Sequence, residues 1–329
     1  MQIAICCTKN WYIYQVINLY ALFKHNNVKK VYMFIEDDDI PYITDKRVKF
    51  INVNKLKEYV TSNSPNYNTQ YSKLSYLRCY FSKILECDKI LYIDADAIVV
   101  DNIEDLWHQE FNDNVLIGVR EPGEWSKHLG IAKMDNKYIN SGVLLMNLKK
   151  IREEHLDDKM INLLNHKYYA FPDQDVINIV CKDRIGYVSN KYNSTETTGF
   201  RDDAKIIHYI RERKGWIKTS PRSEIWYNYH DEYLKGEGKM DNYFVRATRN
   251  FDDVQEGVHR IKGKSEWWCS AERYEFLKAN NAVELIEIKK VEEPKIVEVV
   301  ETTNGTFGYG EVEVTETKPK KKITKKSKK

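Results

Sequence analysis

The chain has 329 residues and a mass of 39.0 kDa, enough for one large domain with a small companion or for two medium ones. With 42% hydrophobic and 12% aromatic residues it can bury a sizeable core, which excludes wholesale disorder. The net charge of +3 divides unevenly: residues 318–329 hold eight lysines and no acid, so the body carries −5, and that is not the footprint of a groove built for nucleic acid.

A mean hydropathy of −0.62 and the lack of an apolar run of ~18 residues predict no membrane-spanning helix. The opening MQIAICC has no basic stretch followed by an apolar one, so secretion is not expected. The six cysteines (Cys6, Cys7, Cys79, Cys87, Cys181, Cys269) show no CxxC spacing and read as reduced thiols, which predicts a cytoplasmic protein.

In chain order, residues 2–7 form a short apolar run that breaks at Thr8, Lys9 and Asn10. Ile13, Val16, Ile17, Tyr20 and Ala21 then recur at helical spacing. Val31–Ile35 is a second apolar run, stopped by four acids from Glu36, and Val48–Val53 is a third. Leu74, Leu77, Phe81 and Leu85 predict another helix, and Ile90–Ile93 a fourth strand. Strands alternating with helices predict an α/β fold with a mostly parallel central sheet. No GxGxxG follows the first strand and no GxxxxGK[ST] occurs, which disfavours the dinucleotide fold and the P-loop.

Composition shifts near Gly236–Lys239, so residues 1–239 are expected to be one domain and 240–290 a small α+β, barrel-like module. Within it Phe244–Thr248 and Val283–Ile288 read as strands, and Ser270 as the cap of a helix over 271–280. Residues 291–329 are expected to hold a linker or a hairpin about Thr303–Thr306, then a disordered lysine-rich tail.

The sharpest chemical signal is Asp94-Ala95-Asp96, placed where a strand gives out; in open α/β sheets ligands gather at such carboxyl ends. On an extended segment the two carboxylates share one face, about 7 Å apart, where a divalent cation with phosphate oxygens can bridge them. The competing reading is a solvated turn.

The stretch from Cys87 to Val100 (CDKILYIDADAIVV), followed by NIEDLW at 102–107, resembles glycosyltransferase family 8, which includes glycogenin and bacterial lipopolysaccharide α-galactosyltransferases. Three further segments match in order: YINSGVLLMN at 138–147, PDQDVIN at 172–178 and HYIRERKGW at 208–216. The resemblance covers about residues 1–235 and implies a GT-A fold and a UDP-sugar donor, either UDP-glucose or UDP-galactose. It implies manganese or magnesium on Asp94, Asp96 and His208, a set that suits a borderline-hard cation. A lone histidine after Ile206 and Ile207 also reads as a core residue; Lys214 and Trp216, six and eight positions on, favour the ligand. The family's glycine three residues after the histidine is Arg211 here, and its proline at the seventh is Gly215.

The resemblance further implies that Lys214 binds the donor phosphates and that Cys7, Thr8, Asn10 and Trp11 line the nucleotide loop. Trp11 is either a uracil-stacking ring, worth ~1–3 kcal/mol, or an aromatic staple at the helix start. Arg78 is either a donor-sugar contact or a helix-surface arginine. Ala95, Asn140, Ser141 and Gly142 join the donor site, with Asn140 and Gln174 reading hydroxyls. Gln174 and Asp173 flank the reacting carbon, Asp175 being the other candidate for that wall. Retention of anomeric configuration by front-face attack is the implied course.

Residues 245–288 weakly resemble small modules of bacteriophage structural proteins, so the rival expectation is a phage-borne adaptor with an inactive transferase domain; a nucleotidyltransferase is a weaker third. The expected partners are a UDP-hexose, a glycan, lipid or protein acceptor, and an anionic surface met by the lysine tail. No specific nucleic acid is expected. The setting is bacterial or phage-infected cytosol, at the membrane periphery if the tail meets that surface. The segment 120–136 is expected to serve the acceptor.

Overall fold

The computed structural model describes residues 1–40, 43–56, 60–123, 137–233, 241–253, 258–270, 274, 277–288, 300–301 and 307–308. They fall into two compact units, Met1–Pro294 and Lys295–Lys329. The first unit begins with β1 (Gln2–Cys6), α1 (Tyr12–His25), β2 (Lys30–Ile35) and β3 (Val48–Asn52). It continues through α2 (Phe81–Ile84), β4 (Lys89–Ile93), β5 (Ala97–Val99), α3 (Glu104–Trp107), β6 (Leu116–Arg120) and β7 (Ile139–Asn147). Then come α4 (Leu148–Glu153), α5 (Leu156–His166), α6 (Pro172–Val180), β8 (Ile185–Val188), β9 (Ile206–His208) and α7 (Ser223–Glu232).

Seven strands form the central sheet in the order β3-β2-β1-β4-β7-β6-β8. Neighbours pair parallel except at β7, which runs against both β4 and β6. Strand alternation sorts side chains to two cores. Ile3, Ile5, Leu91, Ile93, Val143 and Leu145 meet α1 on one face. Ala4, Cys6, Ile90, Tyr92, Leu144 and Met146 meet residues of α2 and α4–α6 on the other. Eight of the nine residues of β7 are buried, as a strand covered on both faces requires. Outside this sheet β5 pairs antiparallel with β9.

The single helix expected over Leu74–Leu85 is instead a 3₁₀ segment, Lys73–Cys79, followed by the one-turn α2. Arg78 lies in the 3₁₀ segment, where Nε donates to the Ser75 carbonyl at 2.8 Å and the guanidinium also meets Ser141, Asp94 and Asp173; tertiary contacts outweigh local periodicity here.

From residue 241 the described residues form β10 (Asp241–Ala247), β11 (Phe251–Asp253), β12 (Val258–Arg260), β13 (Glu266–Ser270) and β14 (Val283–Ile288). The sheet β13-β10-β14 is antiparallel, and β11 pairs with β12 as a hairpin. Val245, Cys269, Tyr274, Leu277, Ala282 and Val283 form its own small core. In the second unit β15 (Val300–Glu301) pairs antiparallel with β16 (Phe307–Gly308). The proposed linker 236–239 and the lysine tail lie outside the described residues, as do 124–136 of the acceptor segment and 271–273 and 275–276 of the expected helix; Ser270 ends β13, and 274 and 277–279 are helical. No described helix is long and apolar enough to cross a membrane.

Candidate active site

β4 ends at Ile93 and the chain turns at once, the Ala97 amide donating to the Asp94 carbonyl at 3.0 Å. This corrects the extended Asp-x-Asp reading. A turn, not strand alternation, gathers the carboxylates, and ligand atoms of Asp94, Asp96 and His208 lie within 4.8 Å of one another. The β5–β9 pairing sets Ala97 opposite His208, and the Tyr209 amide donates to the Asp96 carbonyl at 3.0 Å. His208 Nε2 stands 3.2 Å from Asp96 Oδ1 and 3.6 Å from Asp94 Oδ2. From beneath, the Ala95 carbonyl accepts from Gln15 Nε2 at 2.8 Å and Asn18 Nδ2 at 2.9 Å, and Asn18 accepts from Trp226 Nε1. Two amides three residues apart on an otherwise apolar helix were the readable sign of this anchor.

Gly142 closes the cradle. Its carbonyl accepts from the Asp94 amide at 2.8 Å, and a Cβ there would lie 2.1 Å from His208 Cε1 and 2.9 Å from Asp94 Oδ2. Two carboxylates and an imidazole converging on a space kept open by a glycine fit a divalent cation bound through oxygen and nitrogen. Gly142→Ala should therefore lower Mn²⁺ affinity about tenfold or more by displacing His208, as disturbed ligand orientation does. Calorimetric titration of the two proteins checks it.

Lys214 Nζ donates to Asp96 Oδ2 at 2.5 Å and to the Tyr209 carbonyl at 3.2 Å. Its ammonium sits 4.9 Å from the centre of the Trp11 ring, which meets Trp216 edge to face at 5.5 Å. Burial raises the Asp94 carboxyl, with Arg78 opposing it and Asp96 adding to it. Burial also works against the Asp96 carboxylate, but Lys214 and His208 outweigh it and hold that group well below the usual range. Burial disfavours charged His208, yet Asp96 and Asp94 outweigh it and raise its pKa. The two acids thus have opposite environments although one residue separates them.

Arg78 is buried, not a helix-surface arginine. Its Nη2 donates to Asp94 Oδ1 at 2.9 Å, its Nη1 to the Ser141 carbonyl and to Ser141 Oγ at 3.0 Å, and its Nε lies 3.2 Å from Asp173 Oδ2. Tyr92 OH also donates to Asp94 Oδ1. Ser141 Oγ donates to Asp173 Oδ2 at 3.0 Å, and the Ser141 amide donates to Gln174 Oε1 at 2.9 Å. Asp175 is fully buried and takes hydrogen bonds from Tyr138 OH and the Phe171 amide. Its oxygens therefore serve the fold of α6. Asn140 Oδ1 accepts from the Gly142 amide and from Asn193 Nδ2, while its Nδ2 donates to Glu121.

Trp11 is brought to Lys214, and Asn10, its chain neighbour, is exposed. Cys7 is buried with its thiol on the Thr8 carbonyl. Arg211, standing for the family glycine, has φ 57°. The backbone keeps the left-handed form that glycine favours. Glu121, Asn193, Tyr92 and Ser75 were given no role in the site by the sequence reading, although Tyr92 lies in the 87–100 motif and Glu121 in the segment 120–136.

Residues 2–220 match the family described as glycosyl transferase family 8. The chain belongs to this family. Its fold is that of a GT-A glycosyltransferase: galactosyltransferase LgtC, solved with donor and acceptor sugar analogues, superposes with TM-score 0.56 at 19% identity, covering 70% of this chain and 96% of that one. Glycosyltransferase GlyA of Streptococcus pneumoniae serotype 4 is 26% identical over 67% of the chain and 33% of its own length. Lipopolysaccharide glucosyltransferase WaaO of Escherichia coli K12 is 26% identical over 66% of the chain and 72% of its own length. The chain thus spans a third of GlyA and about half of a second curated relative.

Proposed function

We propose that this family 8 chain transfers a hexose, galactose or glucose, from a UDP-sugar to a glycan, lipid-linked or protein acceptor with retention of configuration. The observation that carries the reading is the convergence of Asp94, Asp96 and His208 with Lys214 held on Asp96. A cation-binding set and a phosphate-seeking ammonium would then share one site. Asp94, Asp96 and His208 would hold manganese or magnesium, which when bound supplies Lewis-acid stabilisation of the diphosphate. The LgtC fold and the glucosyltransferase name of WaaO support a hexose donor.

Lys214 exchanges Asp96 for the diphosphate and neutralises charge as UDP leaves. Trp11, beside that ammonium, stacks the uracil, with Thr8 and Asn10 on the same loop. Asp173 is engaged by Arg78, Ser141 and Ser75 at 3.2, 3.0 and 3.4 Å. A carboxylate so committed is a poor nucleophile, which favours front-face attack through a short-lived oxocarbenium ion. Gln174, held by the Ser141 amide, orients the sugar beside that centre.

The test is a donor screen on the purified chain, scored by UDP release with added Mn²⁺ and with EDTA. Metal-stimulated release from one UDP-hexose is expected. No turnover of any UDP-hexose would favour the adaptor reading, and full turnover in EDTA would remove the metal. Lys214→Ala should cut release by about 2–4 kcal/mol, roughly 30- to 1,000-fold. Unchanged single-turnover rates would remove Lys214 from leaving-group stabilisation.

A further inference from the structure

Behind the cation cluster a buried chain of side chains leads from His208 to an acid that the transfer reading leaves unused. His208 Nδ1 lies 2.9 Å from Asn193 Oδ1; Asn193 Nδ2 donates to Asn140 Oδ1 at 2.8 Å; Asn140 Nδ2 donates to Glu121 Oε2 at 2.8 Å. Thr197 Oγ1 donates to the other Glu121 oxygen at 2.8 Å. Glu121, Asn140, Asn193 and His208 are 5%, 8%, 0% and 4% exposed, so water does not substitute freely for these partners.

The direction of every bond is set by one backbone group. The Gly142 amide can only donate, and it points at the Asn140 amide from 2.9 Å. The Asn140 atom there must be oxygen, which turns its nitrogen to Glu121 Oε2, an acceptor. The Asn193 atom facing that same oxygen must be nitrogen, which turns the Asn193 oxygen to His208. His208 Nδ1 must then carry a proton, and Nε2 is left as the nitrogen that faces Asp94 and Asp96. Glycine at 142 therefore serves twice: its missing side chain leaves room for the imidazole, and its amide starts the chain that orients it.

We propose that Glu121 and Asn193 are positioning residues for the cation site, fixing the tautomer and ring orientation of His208 through Asn140. The proposal rests on the reading of His208 as a cation ligand. A histidine that binds through one nitrogen generally has its other N–H anchored, and loss of such anchors lowers metal affinity about 10- to 100-fold. Here the anchor is not a direct carboxylate but two amides in series ending on one.

The test needs no donor and no turnover. Mn²⁺ binding to the full chain is titrated by the spin-resonance signal of the free ion, for wild type, Asn193→Leu, Glu121→Leu and Glu121→Gln. The two leucine variants should bind about 10- to 100-fold more weakly. Glu121→Gln, which keeps an oxygen for Asn140 Nδ2, should retain most of the affinity. Long-range proton–nitrogen spectra of isotope-labelled, metal-free wild type, with His208 assigned by His208→Gln and recorded at a pH where its ring is neutral, should show Nδ1 protonated and Nε2 bare. Leucine variants that melt lower but bind Mn²⁺ as wild type does would overturn the proposal, since that is what packing alone predicts. So would a bare Nδ1 in the wild type. If the wild type binds no Mn²⁺, the ligand reading of His208 falls, and the spectra still decide the relay.

Discussion

Asp96→Asn is expected to lower UDP-sugar turnover by about 10³-fold or more, because it removes charge where diphosphate must be stabilised, a contribution of several kcal/mol at roughly 1.4 kcal/mol per tenfold. The structure adds a second consequence. Asp96 is the counter-ion of Lys214 at 2.5 Å and lies 3.2 Å from His208, so the variant leaves the buried Lys214 ammonium short of its partner. Breaking such a pair costs about 3–5 kcal/mol. The Asp96 carboxyl is depressed in the fold, so its contribution is present above the unfolded pKa of about 3.9 and is lost as pH falls through the folded value. At pH 7 in EDTA the variant should melt below wild type, and the gap should narrow only under strongly acidic conditions. Equal melting at pH 7 would show that Lys214 finds solvent at no cost.

Much of this site was legible because its chemistry sits at element ends. Asp94 and Asp96 follow a clean apolar run, and His208 was lifted above a core histidine by Lys214 and Trp216 at set distances along the chain. What brings them together was not legible. The β5–β9 ribbon joins three residues to three others more than a hundred positions away, and neither strand has a periodic pattern. The reversed direction of β7 is likewise decided by crossovers and not by its composition, which reads as any doubly covered strand. The helix expected over Leu74–Leu85 had the right apolar spacing, yet the segment is 3₁₀ as far as Cys79; the tertiary contacts of Arg78 override local periodicity. Glu121 and Asn193 look like surface polar residues in sequence. Only burial, and the one-way donor at Gly142, turns them into parts of a site.

Arg78 joins the stability of this region to its proposed chemistry, and Arg78→Met should be the most damaging single change to the fold of the site. The side chain is 3% exposed and spends Nε and both Nη1 hydrogens on Ser75, Asp173 and Ser141, with one Nη2 hydrogen on Asp94. Its guanidinium carbon also lies 4.3 Å from the centre of the Tyr92 ring. Methionine fills similar length but leaves Asp94 and Asp173 as buried carboxylates without their shared cation. A loss of about 3–5 kcal/mol follows from breaking such a network, a large share of the 5–15 kcal/mol that holds a typical domain together. Arg78→Lys keeps the charge but not the fork, so it can serve one acid at a time and should melt between wild type and Arg78→Met. Because a single guanidinium N–H remains uncommitted, Arg78 has little left with which to read a sugar. Its main effect would be to hold Asp94, Asp173 and Ser141 in place. Arg78→Lys should accordingly depress kcat for UDP-sugar turnover more than it raises KM. A variant with unchanged kcat and a raised donor KM would instead make Arg78 a direct contact of the donor, with the network around it serving only to keep the charge buried.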